Sequence, residues 1–433
     1  MHHIPPSLNR GKGIRPIMLS AEEKLNTITK MIQDIGEVKD LDLLLERILT
    51  NARRFFNADA GSIYLRNGDQ LKFSYTQNDT LHRRLSPGKK LIYHTFSVPI
   101  NKNSIAGYVG EKREVVNIPD VYHINNSPPY TFDYHFDEIS NYKTRSMLTV
   151  PMTNRRGDLL GVMQIINAQD DHGNVIPFAK SDEDHITTFV TSAAHEVERA
   201  QMTRNIILRM IKMAELRDPM ETGAHVNRVA AYSAEIFEEW AKKKGSFHKD
   251  EHVVKQKDVL RLAVMLHDVG KIAITDLILK KPARLNMDEY EEMKSHTYKG
   301  AKLFEDIESE FDEIAAEVAL NHHEKWDGTG YPGHIDPYTE KPLPGYEENN
   351  GHPRPKMGEE IPLFGRIVAV ADVYDALCSR RSYKEPWDED RILEEMHQSS
   401  GKHFDPEITE AFFSCLDVLK SIKKRFPDEN KEE

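Results

Sequence analysis

Apolar residues change their period early in the chain, and the change divides its first part into helix and sheet. Between Ser20 and Phe56 they recur every three or four positions, at Leu25, Ile28, Met31, Ile32, Ile35, Leu43, Leu44 and Ile48. That spacing gives helical segments one buried face. Alternation then takes over in GSIYLRNGDQLKFSYT, where Asn67-Gly68 suits the tight turn of a hairpin. Further strand patterns cover 113–118, 146–153 and 159–167, the last two joined by the turn Asn154-Arg155-Arg156-Gly157-Asp158. Helix, antiparallel sheet and a closing helix predict an α+β sensor-like domain.

Residues 181–217 contain no Gly or Pro and keep an apolar stripe through Ile186, Val190, Ala193, Val197, Ile207 and Met210. One long helix is expected to leave the first domain here and enter the second. Its stripe either pairs two chains as a short parallel coiled coil, making a homodimer, or packs against its own domain. Beyond Asp218 strand signals fade and helical ones dominate, so the second domain is expected to be all-α. Residues 1–20, rich in Pro, Gly and basic residues, read as a flexible leader. The expected division is leader 1–20, sensor domain 21–183, connecting helix 184–215 and helical domain 216–428.

At 433 residues the chain suits two or three domains. Its formal charge of −12 argues against holding a nucleic acid polymer by bulk electrostatics. A small anionic substrate stays open, because metals and a few bases can reverse the field inside a cleft. No run of about 18 apolar residues exists, and the N-terminus lacks the apolar stretch of a secretory signal. No membrane partner is expected, and the cytoplasm is the expected compartment. Cys378 and Cys415 cannot build a disulfide framework or a zinc–thiolate site.

Chemistry concentrates in the second half, at Glu221, His225, His267-Asp268, His296, His322-His323 and Asp372. Singly, each histidine reads as a surface residue or a hydrogen-bonded core residue. As an ordered set they form the imidazole and carboxylate ligand group expected for iron, manganese or zinc. Apolar runs deliver both adjacent pairs, 260–266 leading to His267-Asp268 and 318–320 to His322-His323. Polar pairs at the ends of buried helices are costly unless something ligates them. Asp268 is placed to bridge two cations about 3.5–4 Å apart. Glu221 and His225 are four positions apart, on one side of a helix if that stretch is helical.

The flanking residues add a resemblance. RDPMETGAHVNRV, MLHDVGKIAI, HTYKGAKL, NHHEKWDGTGYP, GEEIPLFGRIVAVADVYDAL and GKHFDP make residues 218–406 resemble the HD-GYP family, a branch of the HD phosphohydrolases that hydrolyses cyclic di-GMP. The resemblance implies that His225, His267, Asp268, His296, His322, His323 and Asp372 ligate two or three metals, usually iron or manganese. Glu221, in an ETGAH sequence like that of three-metal members, would supply the extra ligand. The nucleophile expected of such a centre is a metal-bridging hydroxide, with Asp268, His267 and Lys271 as the catalytic group. Lys271, Arg381 and Lys384 are implied phosphate contacts, although the family usually has Pro where Ser382 stands. Asp375 would orient a ligand or water. Gly330-Tyr331-Pro332 is the signature tripeptide, with Gly330 and Tyr331 beside the cleft, and a diguanylate cyclase is an implied partner. An insertion, 333–357, follows where the family passes quickly to GEEIPL. It holds His334 and His352, read as loop residues rather than ligands, and is expected to act as a lid or a filter on the dinucleotide.

FNADAGSIYLRNGD, IAGYVGEKREVVNIPD and SMLTVPMTNRRGDLLGVMQIINA make residues 22–190 resemble a GAF domain. Asn167, Phe178 and Asp182-Glu183 are similar to the NKFDE motif of GAF domains that bind cyclic nucleotides, but Ala168 replaces its Lys. A cyclic nucleotide, another small ligand, or dimerisation alone are the roles left open. The expectation for the whole is hydrolysis of cyclic di-GMP to pGpG or GMP under GAF control. The alternatives are another cyclic dinucleotide such as cyclic GMP-AMP, or a catalytically silent receptor.

Overall fold

Asp40 cuts the first helical run in two. Its carboxylate accepts from the N–H groups of Asp42 at 3.0 Å and Leu43 at 3.1 Å, starting a new helix where the first has ended. The result is α1 (Ala21–Gly36) and α2 (Leu41–Phe55). The computed structural model describes residues 20–84, 96–124, 128–215, 223–246, 251–349, 351–378 and 388–427. They fall into two compact units, divided between Gln201 and Met202.

In the first unit the predicted hairpin forms between β1 (Ala58–Asn67) and β2 (Gln70–Asn78), with Gly68 at φ 61° in the turn. Then come α3 (Asp79–Arg83), β3 (Ser97–Pro99), α4 (Ile105–Lys112), β4 (Val116–Ile118), α5 (His135–Ser140), β5 (Met147–Thr153), β6 (Leu159–Gln169) and β7 (Val175–Ile176). The sheet is antiparallel in the order β3-β2-β1-β6-β5-β4, with β7 against β6. The strand expected over 113–118 begins only at Val116, because Arg113 closes α4 in the left-handed conformation at φ 60°. Alternation sends Ile63, Met163 and Ile165 to one face, against α1, α2 and α6 (Lys180–Glu215). Tyr64, Leu71 and Val162 go to the other, against α4.

The long helix is present, but most of its stripe is taken. Ile186, Val190, Ala193 and Val197 lie in the core of the first unit, and Ile207 in that of the second. Burying apolar surface in the chain's own cores leaves those residues nothing to offer a second chain. Of the predicted stripe Met210 stays exposed, in line with exposed Met202, Ile206 and Met213.

The second unit is helical: α7 (Gly223–Lys243), α8 (Glu251–Ala263), α9 (Asp276–Leu279), α10 (Met287–Lys294), α11 (His296–Lys302), α12 (Glu310–Asn321), α13 (Leu363–Cys378), α14 (Glu389–Gln398), α15 (Pro406–Ser414) and α16 (Leu416–Arg425). Val229, Leu260, Val318, Val368 and Phe412 form its core. The insertion carries a small antiparallel pair, β8 (Ile335–Asp336) and β9 (Lys341–Pro342), with His334 stacked on Tyr346 at 4.0 Å. Among the described residues no helix is long and apolar enough to cross a membrane.

Candidate metal centre

The centre is assembled where helices end. After α8 the chain tightens into one 3-10 turn, Val264–Leu266, presents His267 and Asp268, and enters another, Val269–Ala273. Gly270 allows this second turn to lie on α11, since a Cβ there would sit 1.9 Å from the carbonyl oxygen of His296. No side chain fits that gap, so the glycine sets Asp268 beside His296. His322 ends α12, His225 lies in the first turn of α7, and Asp372 and Asp375 are on α13.

Two groups of converging donor atoms result. One is Asp268, His296, His322 and His323, the other His225, His267 and Asp372, and within each the donor atoms lie within 4.8 Å of one another. Asp268 links them. Its Oδ1 is 3.2 Å from His296 Nε2 and 3.5 Å from His322 Nε2, and its Oδ2 is 3.3 Å from His267 Nε2. In the second group His225 Nε2 is 3.6 Å from Asp372 Oδ1.

The imidazole tautomers follow from their other nitrogens. Nδ1 of His267 meets the Val264 carbonyl at 2.9 Å, that of His296 the Met293 carbonyl at 2.7 Å, and that of His322 the Ala319 carbonyl at 3.0 Å. A carbonyl only accepts, so each Nδ1 donates and each neutral ring turns an Nε2 lone pair into the site. Nε2 of His296, Nε2 of His322 and Oδ1 of Asp268 are buried without a hydrogen bond among the described residues. Burial pushes the His322 and His323 imidazoles below their usual range, and the neighbouring histidines add to it. Burial opposes ionisation of Asp268, yet the Lys271 ammonium at 2.7 Å and His267 hold its carboxyl well below the usual range. Lone pairs facing an ionised carboxylate repel one another, and a cation among them removes the cost.

Behind His225 stands a clamp that the sequence reading caught only in part. His225 Nδ1 is 2.9 Å from Asp375 Oδ2, and Arg228 holds the same carboxylate through Nε at 2.6 Å and a second nitrogen at 2.8 Å. Burial pushes the Asp375 carboxyl up, but His225 and Arg228 outweigh it and keep it low. Arg228 was missed because only its spacing in α7, one turn after His225, hinted at it.

Gly330 lets the signature loop fold back, a Cβ there falling 2.2 Å from the Lys325 nitrogen. Tyr331 donates its N–H to the His323 carbonyl at 3.2 Å and sets its ring 4.9 Å from the His323 ring. Glu324 was also missed. Buried, with its carboxyl pushed up to about 7, it accepts from the Gly333 N–H at 2.6 Å and fixes the loop. His334 and His352 belong to neither donor group. Glu221, Arg381, Ser382 and Lys384 lie outside the described residues.

In the first unit the NKFDE-like residues hold the fold. Asn167 accepts from the Arg145 N–H at 2.7 Å and donates to the Tyr142 hydroxyl at 2.9 Å and the Lys143 carbonyl at 2.8 Å. Asp182 caps the N–H of Ala179, and Glu183 accepts from Asn117.

Family models agree with this division, matching a GAF domain over residues 40–200 and an HD domain over residues 222–377. The chain joins a GAF domain to an HD domain. Its relatives include proteins of Vibrio cholerae. A 3'3'-cGAMP-specific phosphodiesterase 2 is 34% identical over 54% of this chain and 38% of its own length. A cyclic di-GMP phosphodiesterase is 34% identical over 67% of this chain and 53% of its own. A cyclic di-GMP phosphodiesterase of Thermotoga maritima is 37% identical over 52% of each. The chain thus spans about half, or less, of the curated relatives it matches. Among solved structures, the GAF domain of an Acinetobacter phosphoenolpyruvate-protein phosphotransferase is similar over 43% of this chain and 99% of its own, at 19% identity and TM-score 0.33.

Proposed function

We propose that the HD domain is a metal-dependent phosphodiesterase of the HD-GYP type for a cyclic dinucleotide, cyclic di-GMP or cyclic GMP-AMP. The observation that carries this is the convergence of imidazole lone pairs on ionised Asp268, a donor set that suits divalent metal. His296, His322 and His323 would hold one ion and His225, His267 and Asp372 a second, with Asp268 shared. Glu221 would make room for a third, and iron is the first choice over manganese. When bound, such ions lower the pKa of water and neutralise phosphoryl oxygens.

The protein's own groups complete the task. Lys271, on the same cluster, offers an ammonium to a phosphoryl oxygen, and Arg381 and Lys384 are proposed to add to the clamp. Asp375 and Arg228 keep His225 in its ligating tautomer. Tyr331 walls the His323 side and excludes water from it. The relatives' names divide between cyclic di-GMP and 3'3'-cGAMP, which supports the class of substrate rather than either member. The GAF domain is proposed to sense a small molecule and set the rate.

The test is anaerobic purification with metal analysis, then chromatography of products from cyclic di-GMP and cyclic GMP-AMP. Two or three metals per chain with linear dinucleotide or mononucleotide products are expected. Full metal occupancy with neither substrate cleaved would reject the enzyme in favour of a receptor.

A further inference from the structure

Helix α10 buries none of its residues, so packing does not account for its one aromatic ring. Tyr290 is 46% exposed, yet it is not at large on the surface. Its ring stands 6.2 Å from that of Tyr331 at an interplanar angle of 77°. Tyr331 in turn lies 4.9 Å from His323 and 6.4 Å from His296. The two tyrosines therefore form a wall that starts on the donor cluster and ends in solvent. Lys294 sits against both, its ammonium 4.8 Å from the Tyr290 centroid and 5.7 Å from that of Tyr331. Glu291 holds this ammonium at 2.7 Å. The capping box of Asn286 and Glu289, together with the Lys281–Glu289 pair, fixes the helix that carries the ring.

We propose that Tyr290, backed by Lys294, is the platform on which a base of the cyclic dinucleotide stacks, and so a residue that sets affinity for nucleotide over simple phosphodiesters. The assignment rests on the phosphodiesterase reading of the neighbouring cluster. A phosphate held at that cluster leaves its nucleoside to find a surface further out, and every nucleobase has a π-face that an exposed tyrosine can meet. Lys294 polarises the ring, while Glu291 offsets its charge, so the contact offered to the ligand is the aromatic face rather than an attraction to phosphate. Nothing in this arrangement reads hydrogen-bonding edges, so guanine and adenine are expected to stack on it alike.

The experiment compares wild type, Tyr290→Ala and Tyr290→Trp, all full-length and metal-loaded. Each is assayed on cyclic di-GMP, cyclic GMP-AMP and methyl p-nitrophenyl phosphate, a diester without a base. Tyr290→Ala should raise KM for both cyclic dinucleotides about tenfold, the loss of one stacked base, with kcat and baseless-diester hydrolysis unchanged. Tyr290→Trp should restore KM. An unchanged KM in Tyr290→Ala, or an equal loss on all three substrates, overturns the platform. If wild type cleaves none of them, equilibrium dialysis of cyclic di-GMP decides. Binding that Tyr290→Ala weakens keeps the platform while the phosphodiesterase reading falls, and binding that it leaves intact removes the platform too.

Discussion

Both domains bury a cluster of polar side chains, and the two clusters are finished differently. In the GAF domain Asp59 accepts from Thr80 at 2.9 Å through one oxygen and from the Tyr142 hydroxyl at 2.9 Å through the other. Tyr142 accepts from Asn167, which spends its remaining capacity on Lys143 and Arg145. Each acceptor atom named there has met a donor. In the HD domain the imidazoles have given their Nδ1 protons to carbonyls and left acceptors facing an acceptor. A closed network of hydrogen bonds stabilises a fold and asks for nothing more. An open network of the same residue types is costly until a cation arrives, and that difference separates scaffold from site.

The sharpest way to break this contrast is to remove the carboxylate that links the two donor groups. Asp268→Ala should strip the metals and reduce turnover to that of protein-free metal solution. Residues 1–201 contain no tryptophan, so the fluorescence of Trp240, Trp326 and Trp387 reports on the later part of the chain and not on the GAF domain. Chelating the wild type should lower that fluorescence transition by the lost linkage, about 2.7 kcal/mol if metal stood at a hundred times its dissociation constant. Asp268→Ala, having no metal to lose, should not respond to chelator. Persistent turnover in Asp268→Ala would remove the proposed centre.

A smaller effect is expected one bond further out. Asp375→Asn leaves the proposed ligands in place but loosens the hold on His225 and halves the match to Arg228. Metal affinity should fall about 10–100-fold, as for other partners that orient a ligand from behind. Titration with metal, read by tryptophan fluorescence, measures it. Unaltered affinity would make the Asp375 and Arg228 clamp a packing feature only.

How much of this was legible depended on whether a role is written in residue type or in contact. The two converging donor groups could be anticipated because histidine and aspartate pairs at the ends of apolar runs have few other uses. Asn67-Gly68 announced its hairpin because the turn demands particular backbone angles. Arg228 could not be read, since its partner Asp375 lies on another helix and an arginine on α7 resembles any charged helix residue. Tyr290 was hidden for the same reason. The stripe on α6 was visible, but a stripe does not say which surface covers it, and the two cores claimed most of it. The motif around Asn167 pointed towards a ligand, whereas the Tyr142 hydroxyl and the backbone groups of Lys143 and Arg145 that occupy Asn167 meet it only in the fold.

That last case gives the gentlest test of the comparison, because a closed network should matter for stability and not for chemistry. Asn167 has φ 57°, a conformation that costs alanine about 1 kcal/mol, and its side chain makes three hydrogen bonds. Asn167→Ala should therefore destabilise the GAF domain by about 3 kcal/mol, with roughly 1 recovered in Asn167→Gly, where the backbone angle is free. Far-UV circular dichroism sees both domains and tryptophan fluorescence does not see the GAF domain, so the part of the dichroism transition in urea that fluorescence does not follow should move while the fluorescence transition stays. Metal content should not change. If fluorescence and metal content shift with it, the Asn167 network reaches the centre, and the division between scaffold and site has been drawn in the wrong place.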